Sequence, residues 1–302
     1  MSPRRLFLLI ASHLILLTSL NSSAQTESHL VLTSIAPIFN ISKALTLETN
    51  IHIENLPERP RTMAAQKTLF SRQAERFKEQ FKSADAVITM GKIWPEDSFY
   101  TTAREANIRL VNIDASKPWS HSLSGVAVSS SPVSGEVSPY FWTSPANTVR
   151  MLNIVARDLS ALYPDQAGII NNNLTQQKNL YLNLKANFEN KFIEVFDPII
   201  YALTDEFTYL TNDLGIFVDD YFIKQDIDWN EQDLNNLTQH LLQTGIKVVI
   251  HKWQPSEAIQ AAIKEANAQL VILDLMETST EAMHLTMQRN LEALLNTLLA
   301  AQ

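Results

Sequence analysis

Residues 165–195 read DQAGIINNNLTQQKNLYLNLKANFENKFIEV, and the organisation of the whole chain follows from that stretch. Large apolar side chains recur at Ile170, Leu174, Tyr181, Leu184, Phe188 and Phe192, with Gln177 in the one polar slot. Steps of three and four residues put them on a single stripe of a helix with 3.6 residues per turn. Tyr163-Pro164-Asp165 supplies the start, a proline before the first turn and an acid near the positive end. Pro198 supplies the stop. No Gly or Pro interrupts the middle. At ~1.5 Å per residue the segment is a rod of roughly 45 Å, long enough to run the height of two small domains. Alone, it would also suit a helical bundle.

Its flanks point elsewhere. Upstream, apolar strand-like runs at 29–34, 51–56, 84–91 and 109–114 alternate with helical patterns. One helix carries Ile38, Ile41 and Leu45, a second spans 66–82 with Phe70, Ala74, Phe77 and Phe81 on one face, and a third spans 96–106. A Ser-rich stretch at 115–138 breaks the pattern and reads as a surface loop or added hairpin. A helix across 147–162 then leads into the rod. Beyond the rod the alternation resumes, with strands at 199–203, 216–218, 247–251 and 270–274. Helices at 205–214, 231–243, 256–266 and 281–299 separate and close them. Such alternation predicts an α/β fold, two parallel-sheet lobes bridged by one long rigid helix. The expected divisions are an N-terminal lobe over 25–145, helices including the rod over 146–197, and a C-terminal lobe over 198–302.

The first 24 residues are expected to be a cleavable signal peptide. Arg4 and Arg5 form a basic start, 6–20 an apolar stretch too short for a convincing membrane span, and Ser22-Ser23-Ala24 a small-residue cleavage site. With no Cys in the chain there is no disulfide, no thiolate metal site and no residue to carry a lipid. With the leader removed, the mature protein is expected to be periplasmic, without a lipid anchor, and monomeric. The chain has 24 basic and 32 acidic residues; without the two Arg of the leader, 22 against 32 leaves a net charge of −10. That acidity argues against nucleic acid as a partner and mildly favours a cation. There is no G-x-S-x-G, H-E-x-x-H, P-loop or G-x-G-x-x-G, and six Gly in 302 residues make a phosphate-cradling loop improbable. No enzyme chemistry is expected.

Five segments in order resemble the solute-binding proteins of zinc and manganese ABC importers, the ZnuA/TroA-like cluster, over nearly the whole mature chain. PYFWTSP at 139–145 resembles the family's D-P-H-x-W-x-D-P, and LTDEFTY at 203–209 its F-H-D-A-F-x-Y. ADAV at 84–87 with Gly91, the helix and Gly245 before KVV at 247–249, and VILD at 271–274 match the others. The resemblance implies a divalent metal, zinc or manganese, as the transported ligand and an inner-membrane permease as partner. It also implies four cleft positions, Leu69, Tyr140, Thr204 and Asp274, where typical members carry three His and a carboxylate. Only Asp274 keeps a ligand side chain, and the loop that is His-rich in many zinc members holds only His121 here. Leu cannot ligate, neutral Tyr and Thr hydroxyls are poor zinc ligands, and one Asp cannot hold the ion tightly.

Asp205, Asp274 and His251 stand at strand ends on the expected ligand edge of the C-terminal sheet and could make a substitute N/O site. Each has a plainer explanation as a helix cap, first-turn acid or surface group. Tyr140, Trp142 and Trp94 would bring aromatic surface near the cleft, which would suit an organic solute instead. Three readings thus stand together: a metal-importer binding component with a diverged site, a binder of a non-metal small molecule, and a ligand-free interaction protein on the same scaffold.

Overall fold

The computed structural model describes residues 28–302, so the expected leader at 1–24 lies outside the described residues. The N-terminal lobe is built from β1 (His29–Thr33), α1 (Ala36–Leu45), β2 (Ile51–Asn55), β3 (Ala86–Thr89), α5 (Phe99–Ala106) and β4 (Val111–Asp114). Three short helices lie between β2 and β3: α2 (Met63–Gln66), α3 (Leu69–Gln73) and α4 (Lys78–Ser83). The strands pair in the order β2-β1-β3-β4, all parallel, with Val31 opposite both Ile53 and Ala86. Two long helices follow, α6 (Pro145–Leu162) and α7 (Ala167–Phe192).

The second lobe repeats the plan with β5 (Ile199–Ala202), α8 (Thr208–Leu214), β6 (Phe217–Tyr221), α9 (Glu231–Thr244) and β7 (Val248–His251). It ends with α10 (Glu257–Glu265), β8 (Gln269–Ile272) and α11 (Met283–Ala300). Its order is β6-β5-β7-β8, again parallel throughout. In both sheets the chain winds outward from the middle pair, β1/β3 or β5/β7. Such a reversal opens a crevice outside the carboxyl ends of the strands. The two crevices face one cleft, because contacts described below join the loops leaving those ends.

The rod exists, and it is shorter than its sequence pattern. The helix α7 runs for 26 residues behind a 3-10 turn at Pro164–Gln166. Ile170, Tyr181, Phe188 and Phe192 are buried along it, while Leu174 and Leu184 are partly buried against the same core. It packs along α6 and touches α1 of one lobe and α11 of the other. One apolar cluster runs through both lobes, from Val31 and Ile88 past Met151 and Ile170 to Ile250 and Leu294.

The expected helix at 66–82 is broken into α2, α3, a 3-10 turn at Ala74–Phe77 and α4. The breaks fold Phe70, Phe77 and Phe81 around Phe99, with Phe70 and Phe99 ring centroids 4.7 Å apart. The expected helix at 96–106 begins later, at Phe99, whose N–H is accepted by Asp97 Oδ1 at 2.9 Å. Among the described residues no helix is long and apolar enough to cross a membrane.

Candidate functional site

The cleft is assembled from loops that leave the carboxyl ends of the strands. After β5, Thr204 and Glu206 are both buried, and the Thr204 hydroxyl donates to Glu206 Oε2. After β7, Lys252 donates from Nζ to Glu206 Oε1 and also lies 4.8 Å from the centroid of the Trp253 ring. After β8, the chain turns sharply through Met276, whose φ of +63° is in the left-handed region that non-glycine residues seldom enter. Asp274 Oδ1 holds that turn by accepting from Met276 N at 2.6 Å. Asn290 of α11 clasps Asp274 from behind, its side chain bonded to both the backbone N–H and the carbonyl. The strained turn delivers Glu277 inward, where it is buried. Strain kept by surrounding hydrogen bonds in this way is typical of functional loops.

Glu277 crosses between the lobes. Its Oε1 accepts the backbone N–H of Met63, the first residue of α2, at 2.8 Å. Burial raises its carboxyl above the ordinary value; the Met63 N–H and Lys252 oppose that, and the charges of Glu206 and Asp274 add to it. Tyr140 stands beside the same carboxylates. Burial pushes its hydroxyl up from the usual phenol value, and Glu277, Glu206 and Asp205 push it further. The ring meets Trp142 edge-on at 5.6 Å, and Trp142 donates from Nε1 to the carbonyl of Leu275 at 2.9 Å. Tyr140 also ends an open groove of about 720 Å³ walled by Met63, Trp94, Val137 and Pro139, with Lys67 and Lys92 on its rim.

The four positions taken from the resemblance therefore separate. Tyr140, Thr204 and the turn begun by Asp274 meet at the cleft. Leu69 does not: its side chain is buried in the apolar cluster of Phe70 and Phe81, and α2 brings Met63 to the cleft in its place. Asp274 itself is exposed and serves the turn.

The trio of Asp205, Asp274 and His251 does not assemble either. Asp205 accepts from the hydroxyl of Ser131 in the Ser-rich loop. Along β7 side chains alternate, and His251 shares the face of Val249, which packs with Tyr201, Leu203 and Ile263 on the outer side of the sheet. Its ring lies against Trp253 at 4.6 Å, Nε2 is 4.0 Å from Asp226 Oδ1, and Nδ1 has no partner. Burial holds its pKa down at about 4. The next residue, Lys252, takes the cleft side instead. Among the described residues no three His, Asp or Glu side chains form a group arranged to hold a metal ion.

Glu206, Lys252 and Glu277 were not picked out by sequence reasoning. Glu206 was legible only as a first-turn acid, and Lys252 and Glu277 follow strand ends as ordinary loop charges. The available signal was position, one and three residues past His251 and Asp274.

Two parallel α/β lobes with shared helices and a cleft between their carboxyl edges define the class of bilobal solute-binding proteins. The chain belongs to the ZnuA family, the periplasmic component A of zinc-uptake complexes, whose family model matches residues 32–301. That family supplies the substrate-binding components of metal ABC importers. Among solved structures, a mutant of FpvC from Pseudomonas aeruginosa is similar at 15% identity and a TM-score of 0.76, over 90% of this chain and 99% of that one. FpvC in complex with Mn2+ is similar at 16% identity and a TM-score of 0.71, over 91% and 100%. Zn(II)-bound AdcA from Streptococcus pneumoniae is similar at 17% identity and a TM-score of 0.72, over 90% of this chain and 58% of that one. At these identities the likeness is one of fold. No curated protein sequence matches the chain.

Proposed function

We propose that this chain is the periplasmic substrate-binding component of a metal-type ABC importer, and that its cargo is a hard divalent cation, manganese rather than zinc. One observation carries the reading. Two buried carboxylates, Glu206 and Glu277, flank the Tyr140 and Thr204 hydroxyls in the cleft between the lobes. These donors are all oxygen. Zinc sites are built mainly on nitrogen and sulfur, whereas manganese and other hard ions are suited by carboxylate, carbonyl and water, with the Tyr140 and Thr204 hydroxyls able to hold such water. A set without imidazole is therefore a poor zinc trap and an adequate site for a harder ion. FpvC in complex with Mn2+ and AdcA with Zn(II) share this fold, so the choice between the two ions rests on the donor chemistry of this chain. The loaded form would dock on an inner-membrane permease and hand over the ion.

A second reading has one observation of its own. The groove beside Tyr140 has aromatic walls in Trp94 and Tyr140 and the volume of a small-molecule site. An organic solute would lie there.

The test is calorimetric titration and thermal shift of the metal-stripped mature protein with Mn2+, Zn2+ and a panel of organic solutes. At 100 times Kd a ligand adds roughly 2.7 kcal/mol to stability, an easily seen shift. The expected result is saturable binding of Mn2+ that Glu277→Gln weakens by about tenfold or more, as loss of a charged partner costs about 1.5–3 kcal/mol. A response to Zn2+ alone, unchanged in Glu277→Gln, would overturn the cargo assignment. A response to an organic solute alone, lost in Tyr140→Ala, would favour the second reading.

A further inference from the structure

We infer that the Lys252 ammonium is the resident counter-ion of the cleft: it neutralises Glu206 in the empty protein, and a cargo cation enters by displacing it from Glu206 while it keeps its place over Trp253. The inference deepens the cargo assignment above and rests on it.

Three observations meet at this side chain. First, Lys252 pairs with Glu206, the carboxylate that also takes the Thr204 hydroxyl, so one Glu206 oxygen is spoken for by a cation and the other by a hydroxyl. Second, a further buried acid, Glu277, stands in the same cleft with its Oε1 on the Met63 N–H, so the charge on Lys252 is set against two buried carboxylates and paired directly with one of them. Third, the same ammonium already sits 4.8 Å from the Trp253 ring centroid. A cation over an indole face is in a favourable place, so the ammonium keeps one partner there when it lets go of Glu206, and the long stem of Lys allows that short movement.

The chemistry follows from charge. Two buried carboxylates without a counter-charge repel and are costly to keep ionised, so an empty site without Lys252 would be unstable. With Lys252 in place the empty cleft is tolerable, but any incoming ion must surpass a tethered ammonium that never diffuses away. A monovalent ion offers no more charge than Lys252 and gains little. A divalent ion offers twice the charge to both acids and displaces it. Lys252 is in this sense a specificity-determining residue, selecting for charge and weakening affinity. When the ion leaves, the ammonium returns to Glu206, which favours release to the permease.

The experiment compares wild type, Lys252→Met and Lys252→Arg. Met keeps much of the apolar stem against Trp253 and removes the charge. Mn2+ affinity is read by titration calorimetry, and the melting temperature of each metal-free protein is read separately. The expected result is Mn2+ binding tightened by about tenfold or more in Lys252→Met, since one opposing charge has gone, with wild-type or weaker binding in Lys252→Arg. Metal-free Lys252→Met should melt lower than wild type, and Glu206→Gln added to it should restore part of the loss. Equal or weaker Mn2+ binding in Lys252→Met would overturn displacement while leaving the cargo assignment standing. If neither wild type nor Lys252→Met binds any divalent ion, the cargo assignment falls and displacement with it. A metal-free Lys252→Met that melts like wild type would overturn the counter-ion role whatever the binding result.

Discussion

His251 is buried and Asp97 is half-buried with its Oδ2 shielded from water, and the protons of both should be visible in the stability of the whole protein, with opposite signs. Burial holds the His251 pKa at about 4, so between its ordinary value near 6.5 and about 4 the unfolded chain takes up a proton that the fold refuses. Stability from this group is complete above 6.5 and falls as pH drops through that window. Asp97 is pushed the other way, to about 6, chiefly by burial and further by the charge of Asp114, against the N–H bond that its Oδ1 accepts from Phe99, while its Oδ2 is buried without a partner. The fold binds its proton more tightly, so it favours the folded state fully below about 3.8 and the benefit is lost as pH rises to 6. Asp158, raised to about 6 chiefly by burial, has the sign of Asp97. Asp97→Asn keeps an oxygen to accept the Phe99 N–H and removes the buried charge. We predict that it melts higher than wild type at pH 8, by up to about 3 kcal/mol for a shift near two units, and matches wild type near pH 4. Calorimetric melting from pH 4 to 8 checks this, and the variant should lose stability on acidification more steeply than wild type, because His251 then acts with less opposition. A variant less stable than wild type at pH 8 would mean that its hydrogen bonds matter more than its charge.

At the scale of elements, what could be read from the chain was whatever depends on periodicity. The stripe of α7 was legible because Ile170, Tyr181, Phe188 and Phe192 all meet one core at helical spacing. The strands were legible because buried parallel strands are short apolar runs, as in VVIH of β7 with every residue buried. The break in the expected helix at 66–82 was not, since Phe70, Phe77 and Phe81 keep helical spacing whether or not the backbone turns between them. Only the family resemblance places Leu69 in the cleft, and the breaks, which put Met63 there instead, leave no mark in the spacing. Which face His251 takes was not legible either, because it depends on the strand's register against its neighbours rather than on its own sequence. Polar anchors escape the same way. Asn173 interrupts the apolar logic of α7, yet it is buried and donates from Nδ2 to the carbonyls of Leu45 and Leu47 at 3.0 and 2.8 Å, fastening the end of α1 to the rod. Asn173→Ala leaves those carbonyls unpaired at about 1–3 kcal/mol for a buried group. Its melting temperature should drop by several degrees, with cleft binding of Mn2+ unaltered, since no atom of Asn173 approaches Glu206 or Glu277. A binding defect without a stability defect would show that α7 transmits more than support.

At the scale of the molecule, the two lobes are held by more than a flexible crossing. The α6–α7 pair shares one continuous core with both lobes. Side-chain ties add to it. The Tyr209 hydroxyl bonds Ser129 N at 3.1 Å and Ser138 O at 2.8 Å, pinning the Ser-rich loop to the second lobe. Ser144 donates to Asp213 at 2.7 Å, and Met63 donates to Glu277 across the cleft. Closing such a cleft on an ion cannot use a hinge of a few loop residues, because the shared core would have to be repacked. On the proposed cargo assignment the ion would instead be accommodated by short movements of Lys252, Glu206 and the 274–277 turn. We therefore predict that small-angle scattering finds the same radius of gyration with and without saturating Mn2+. Hydrogen exchange should change at 203–207, 252–253 and 274–277 while α6 and α7 keep their protection. Tyr209→Phe, which cuts the hydroxyl's ties to the loop but leaves the core and the Ser131–Asp205 bond, should raise exchange around 129 and 138 and still show no change in radius. A clear contraction on adding Mn2+ would mean that the core between the lobes slides, and the rigid bridge would then be wrong as an account of how this protein takes its cargo.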